Sequence, residues 1–553
     1  MGIVSNCGGG RSGASATCPA LTRTDRRLST MSHLGMDFAD AARLVESEIF
    51  GDWYRDPWGW PELRVSEMED LDPADVGLIV GKGARWEFEP SFHSFEIPKS
   101  FFGQRPAVLL DPVSRLLFAA AVQRFAVQLE AELSDWSYGW RYRDGARANN
   151  SEERDLYRQS QQQLPEAAFS GETDITSFFA SVNVPKLLET MRALGCSSVP
   201  ADIIERVLTR HDGLSFRSGL PQRSTASSIL AQVALSPVDD VIGRALEQGR
   251  ISAARRWMDD ISFEGSYADV YRLLLEVQAA ARNAGLEINA SKTHITSAQQ
   301  KSIEFERENQ RIIRTEVDVV DDDYPDLTMT LISDAELLAA EDAVLTKPKS
   351  QSRSELGLVL RSLWRSRRFG RVAEWIDASR WIPHGADHLS RYLREAGNAG
   401  AVTVDALNTW FVDEHTSNWP HTDWVAAQHA TAIAADAMSE NSVALLRSWL
   451  SDSQNAQKLA VAVQRLASIE PQATRRALRS RIDGVYDPIQ VRLLTLGLLA
   501  SGAPISAVTE HLNRTPSLKL LTRYLVNHKW KLPSVPDDFA GTEGAQPGTV
   551  TVD

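Results

Sequence analysis

From Phe38 the chain carries an apolar stripe (Phe38, Ala41, Leu44, Val45, Ile49) at the spacing of one helix face, which predicts an amphipathic helix. The Trp-rich stretch after it, with Trp53, Trp58 and Trp60, reads as packing rather than recognition. Between about 85 and 300, strand-like and helix-like segments alternate, which predicts an α/β or α+β domain. After Thr330 the pattern becomes helical, as at Leu356, Leu360, Leu363 and Trp364. Around 440–512, helix pairs recur with a weak period of roughly 33 residues, from Leu445 to Leu478 to about Glu510, as in an α-solenoid.

The flanks lack such stripes. Residues 1–35, with Gly8-Gly9-Gly10 and no apolar core of a signal peptide, read as disordered, and Met31 or Met36 is an alternative start. The acidic stretch 316–330, with Asp321, Asp322 and Asp323, reads as a solvated linker, because a calcium loop needs alternating ligands and a glycine. The Pro- and Gly-rich residues 531–553 read as a disordered tail. The expected architecture is therefore an α+β domain over 36–315 and an all-α repeat domain over 331–530.

Composition narrows the class. The 553 residues hold 73 acids against 59 bases, a net charge of −14 that argues against a broadly basic nucleic-acid-coating surface. Hydrophobic residues at 43% and charged residues at 24% exclude wholesale disorder. Cys7, Cys18 and Cys196 form neither a disulfide framework nor a metal spacing, which fits a reducing cytoplasm. No apolar run approaches the 18 or so residues of a membrane span.

Four segments carry candidate chemistry: Thr173-Asp174-Ile175-Thr176-Ser177-Phe178-Phe179, Gly219-Leu220-Pro221-Gln222-Arg223, Trp257-Met258-Asp259-Asp260 and Gly285 to Thr293. Singly they read as a strand-end acid or helix cap, a loop before a helix, a hairpin turn, and a helix end before a strand. Together they suggest two-metal nucleotidyl transfer, which needs carboxylates on neighbouring strands holding two divalent ions roughly 3.5–4 Å apart. Asp174 on one strand and Asp259 on a hairpin turn, with Asp260 beside it, would supply them. Oxygen ligands suit Mg2+ or Mn2+ rather than zinc.

In this order, about 45, 40 and 30 residues apart, the four segments resemble the palm motifs of reverse transcriptases. Upstream, Ile97-Pro98-Lys99, Gly103-Gln104-Arg105-Pro106, Asp111 through Arg115 and Ser137-Tyr138-Gly139-Trp140-Arg141 resemble the fingers of bacterial and group II intron members. The resemblance spans roughly 90–300. It implies a fingers and palm fold, and Asp174, Asp259 and Asp260 as catalytic acids, with the Ile175 carbonyl a further metal ligand. It places Phe179 at the steric gate that excludes a ribose 2′-hydroxyl, so deoxynucleotides are the expected substrates. It assigns Lys99 and Arg105 to the triphosphate, Gln222 to the nucleotide near its sugar, and Lys292 to protonating pyrophosphate. The chain departs from the family at Arg223, where glycine usually follows Pro-Gln, at Thr225 and Ser228, where prolines are common, and at Trp257-Met258 before the acid pair. Arg223 bears on whether copying is templated.

A palm followed by helical repeats resembles, more loosely, the abortive-infection and defence-associated reverse transcriptases of bacteria. That implies an antiphage role and either an RNA template, such as a partner non-coding RNA, or untemplated DNA synthesis primed on a protein hydroxyl. Tyr54, Tyr138, Tyr142 and Tyr157 lie upstream of the palm acids, and the sequence does not choose among them. Between Lys347 and Arg371, bases outnumber acids, and Arg361, Arg365 and Arg368 are expected on one helical face. That face suits a phosphate backbone, and equally a solvated surface or an acidic partner. A non-catalytic scaffold and a homo-oligomer both remain open at this stage.

Overall fold

In the computed structural model, residues 34–533 are described, apart from 51–52, 69–70, 80–84, 87–88, 144, 163–168, 215–218, 298, 302–318, 321–327 and 330–333. The proposed disordered segment 1–35 and tail 531–553 therefore fall almost wholly outside the described residues, as do Asp321, Asp322 and Asp323. Within the expected linker, Val319–Val320 pairs antiparallel with Thr328–Met329.

The first amphipathic stripe forms helix α1, Phe38–Phe50, with Phe38, Ala41, Leu44 and Val45 buried. A hairpin of β1 (Phe92–Pro98) and β2 (Gln104–Leu110) follows, in register from Phe92↔Leu110 to Pro98↔Gln104. Helix α2, Pro112–Glu130, starts where the Asp111 carboxylate accepts the Ser114 amide at 3.0 Å. Its apolar residues run round most of its circumference, so it is a buried central helix rather than a surface one.

Five strands make the sheet beneath the site. Its order is β7 (His294–Ser297), β4 (Phe169–Thr173), β6 (Asp260–Gly265), β5 (Ile251–Trp257) and β3 (Ser137–Tyr138). All neighbours are antiparallel except β3 and β5. The central β6 is buried along most of its length, and the helices Ser236–Glu247 and Tyr267–Asn283 cover the sheet. This is the α+β class expected.

From Asp334 onward the described elements with helical pattern are helices, begun by local caps such as the Ser352/Glu355 capping box and Asn455 and Asp487 side chains. Successive helices pack on near sequence neighbours, as Ala456–Ile469 does on Glu440–Asp452 and Pro488–Ala500.

The division into two halves is less clean than the sequence suggested. The Trp-rich stretch, grouped by the sequence with the α+β domain, is built into the helical half. Arg492, fully buried, pairs with Asp56 and with Glu62 (2.6 Å) beneath the Trp60 ring. A buried guanidinium needs such partners, because stripping one charge of the set costs about 3–5 kcal/mol. The β1 strand is likewise tied down: His93 Nδ1 lies 3.0 Å from Asp487 Oδ2, and its Nε2 accepts the Ala456 amide.

Candidate active site

Antiparallel pairing brings the acids together. Thr173 lies opposite Ile261, so Asp174, the next residue, emerges beside Asp260 at the start of β6. Trp257 pairs with Asp260 across the two-residue turn Met258-Asp259. Met258 sits at φ 54, a left-handed conformation that two-residue hairpins normally give to glycine or asparagine. Here the strain is overcome by burial of the Met258 side chain and by Arg256, whose Nη1 donates to the Met258 carbonyl at 3.0 Å.

Arg256 is itself fully buried, donating to both Asp239 oxygens (2.9 and 2.6 Å), Gln232 Oε1 (2.5 Å) and Ser137 Oγ (3.1 Å). Gln232 passes the constraint on by donating to the Tyr138 and Gly139 carbonyls. Trp257, the unusual aromatic before the acids, is buried against Tyr157 and Trp140, with the Arg154 guanidinium 4.8 Å from its ring centre.

Negative charge is concentrated here. Burial, then the carboxylates of Asp260 and Asp174, push Asp259 up to about 7. Burial and Asp174 raise Asp260 too, although solvent reaches it through the mouth of the cavity. Lys292 Nζ stands 3.2 Å from Asp174 Oδ2. Burial lowers its pKa, but the Asp174 bond and the three carboxylate charges outweigh that and raise it. Asn289 donates from its backbone (2.6 Å) to the Asp174 carbonyl and from its side chain (3.1 Å) to Asp174 Oδ2.

The acids floor a cavity of about 490 Å³ whose lining also includes Ile175, Lys99, Arg105, Phe179, Gln222 and Lys292. The sequence-predicted palm and fingers residues are thus gathered in one place. Phe179 stacks edge-on to Phe178, and its carbonyl accepts the Leu220 amide. Gly219 permits that approach: a Cβ there would fall 2.2 Å from the Phe179 carbonyl oxygen, and its φ is +48.

Three lining residues were not legible as site residues. Trp53, expected only to pack, meets two guanidinium groups, Arg105 at 5.1 Å and Arg223 at 4.7 Å from its ring centre. Glu48 of α1 accepts the Thr225 amide at 2.6 Å and faces Arg115 at 3.3 Å, anchoring the start of the helix Thr225–Ala234. Asn289 is the third. The signal for it was its place in the fourth segment; Trp53 and Glu48 gave none, being brought in by packing against residues remote in the chain, such as Arg223 and Thr225.

The basic helix requires a correction. Arg361, Arg365 and Arg368 do not share an exposed face. Arg361 is buried among Leu360, Ser362 and Leu363, Arg365 is the last helical residue, and Arg368 lies beyond the Ser366 cap. Only Arg361 is taken by the core; Arg365 is exposed and Arg368 half-buried, so the three bases do not act as one face.

Among the described residues, no three His, Cys, Asp or Glu side chains are gathered tightly enough to cage a metal by themselves. The donor set still fits a magnesium-type site, which typically takes one or two carboxylates and completes its shell with phosphate oxygens and water. The raised pKa values of Asp259 and Asp260 come first from burial and then from neighbouring carboxylate charge, and a divalent cation would offset both. Asp174, Asp259 and Asp260 would be its holders.

With that geometry described, comparison with known proteins is direct. Residues 97–307 match the reverse transcriptase (RNA-dependent DNA polymerase) family. The matched stretch spans all four of the segments singled out in the sequence and the β1–β2 hairpin from Ile97. No curated protein is detectably similar to the chain. Distant likenesses among solved structures include one described as an RNA-dependent RNA polymerase with vp4 and dsRNA, at 12% identity and TM-score 0.29, covering 71% of this chain and 32% of that one. Another is the BmCPV RNA-dependent RNA polymerase at its elongation state, at 11% identity and TM-score 0.29, covering 81% and 43%. The chain spans less than half the length of these two polymerases. No helix among the described residues is long and apolar enough to cross a membrane.

Proposed function

We propose that the chain is a DNA polymerase of the reverse transcriptase type, adding deoxynucleotides at Asp174, Asp259 and Asp260. The observation that carries this is the convergence of those carboxylates, from adjoining strands, on the floor of a cavity that also holds Lys99, Arg105 and Lys292. Bound Mg2+ or Mn2+ would activate a 3′-hydroxyl and neutralise the triphosphate. The protein's own part is then positional and electrostatic. Arg105 offers a planar fork and Lys99 a mobile charge to phosphate oxygens. Phe179 would close the space beside C2′, and Gln222 would contact the sugar. Lys292, kept cationic by the acids around it, would give its proton to the departing pyrophosphate.

Two versions of the reaction compete. Copying of an RNA template, such as a partner non-coding RNA, suits the family at large. Arg223, stacked on Trp53 at the cavity where relatives have glycine, favours untemplated, protein-primed synthesis. For priming, Tyr54 and Tyr157 are poor acceptors, since both are buried and burial raises the Tyr157 pKa further. A purely non-catalytic scaffold is disfavoured, because clustering buried carboxylates without a counter-cation is costly. A cytoplasmic, antiphage role through a helical-repeat half completes the reading, resting on the likeness to abortive-infection enzymes.

Purified protein incubated with labelled deoxynucleotides and Mg2+ or Mn2+, with and without ribonuclease, tests it. Product should form and should vanish in Asp259→Ala/Asp260→Ala; wild type matching that variant would reject polymerase activity. Product that survives ribonuclease and runs attached to protein would decide for the untemplated version. Phage plaquing on cells carrying wild type or the double variant tests the defence role.

A further inference from the structure

The β1–β2 turn carries two adjacent phenylalanines, Phe101 and Phe102. Phe102 is 88% exposed, and Phe101 meets it edge-on at 4.4 Å. Phe101 in turn reaches the helical half: its ring centre is 5.7 Å from that of Trp381, which lies 5.1 Å from Trp419. Lys349 caps the junction, with Nζ 4.9 Å from the Phe101 ring and 4.1 Å from the Trp381 ring. Four aromatic rings from three separate parts of the chain thus form one partly exposed strip with a cation on it.

Lys349 is exposed and makes no ion pair among the described residues, and neither does Lys99 at the base of the same turn. Arg380, near Trp419, is by contrast taken up by Glu414 at 2.8 Å. The strip adjoins the cavity directly. Lys99 and Gln104, at the two ends of the turn, line it, and Phe102 is two residues from Gln104, so at most about 7 Å along the chain.

We propose that this strip is a stacking site for single-stranded nucleic acid entering or leaving the cavity. Bases stack on exposed rings whatever their sequence, while lysines meet the phosphates, and the positive charge selects a polyanion over an apolar protein partner. A duplex hides its base faces and cannot use such rings. The choice of occupant rests on the polymerase reading above, since that reaction must present a single strand beside the cavity.

The test measures binding alone, by fluorescence anisotropy of labelled 20-mers of DNA, RNA and duplex DNA on the full chain, without nucleotides or divalent metal. Phe102→Ala should weaken single-strand binding threefold or more and leave duplex binding unchanged; so exposed a residue is replaceable without unfolding. Lys349→Gln should lower the salt dependence by about one phosphate contact. Stronger binding of RNA would assign the strip to a template, and of DNA to a product. Absence of single-strand binding by wild type, less than threefold loss in Phe102→Ala, or equal loss on duplex would each overturn the proposal. Normal strand binding lost in Phe102→Ala, from protein that incorporates no deoxynucleotide, would instead reject the polymerase reading and leave the stacking site standing.

Discussion

Arg256 offers a way to separate holding the fold from holding the active-site turn. Its guanidinium is fully buried and spans two jobs: a two-point pair with Asp239, and the hydrogen bond to the Met258 carbonyl at the strained turn before Asp259. Arg256→Met leaves the Asp239 carboxylate buried without its cation, and burial already raises the pKa of that acid even with Arg256 beside it. Breaking a buried pair from one side costs about 3–5 kcal/mol. Removing both partners, as Arg256→Met/Asp239→Leu, is expected to recover the part of the loss that comes from the stranded Asp239 charge, while Gln232 Oε1, like the Met258 carbonyl, stays unpaired. The Met258 carbonyl stays unsupported in the double variant. Denaturant unfolding should therefore show loss in the single variant and partial recovery in the double. Deoxynucleotide incorporation should stay at least tenfold down in both, with a higher Mg2+ concentration needed for half-maximal rate, because Asp259 is no longer held in place. Recovery of full rate at the wild-type Mg2+ requirement in the double variant would refute the claim that Arg256 positions the turn.

Other outcomes follow from the same geometry. Mg2+ or Mn2+ should raise the thermal midpoint of wild type but not of Asp259→Asn/Asp260→Asn, as scanning fluorimetry would detect; equal shifts would place the metal elsewhere. Phe179→Ala should relax discrimination against ribonucleotides by tenfold or more in competition assays, and unchanged selectivity would remove its gate role. In the helical half, burial holds His415 down to about 2 and His429 well below the ordinary histidine range, with their Nε2 and Nδ1 atoms 3.1 Å apart. Both stay neutral in the fold while the unfolded chain protonates near 6.5. Stability should therefore be level above that pH and fall below it, by up to about 1.4 kcal/mol per pH unit for each histidine. His415→Leu/His429→Leu should flatten much of that acid limb in denaturant melts, the remainder coming from groups such as His211 and His384; an unchanged limb would reject the assignment.

What could be read from the sequence was what local pattern controls. Asp174 at a strand end and Asp259-Asp260 in a turn are short-range features, and a two-residue hairpin brings the second pair back onto the strand beside the first. Gly219 was readable as a turn, although only the structure shows that the Phe179 carbonyl requires it. Arg361 shows the limit. Helical spacing put it on a face with Arg365, but packing buried Arg361 while leaving Arg365 exposed, and the Ser366 cap ended the helix before Arg368. Trp53 lies further beyond reach, because nothing near it in the chain signals that Arg105 and Arg223 will arrive at its ring.

That same tryptophan changes what the helical half can be. Its carbonyl accepts the Trp424 indole N–H at 2.9 Å and the Gln457 side-chain amide at 3.0 Å, both from helices far along the chain. Its ring, meanwhile, holds two of the cations at the cavity. The Trp424 and Gln457 side chains thus hold the backbone of the residue whose ring meets Arg105 and Arg223. The net charge of −14 is consistent with this economy of cations. Arg255, Arg256 and Arg492 are consumed in buried pairs, whereas Lys99, Arg105, Arg223 and Lys292 line the cavity. An acidic chain can hold a polyanion when its free bases are placed by packing, and here the helical half does part of that placing.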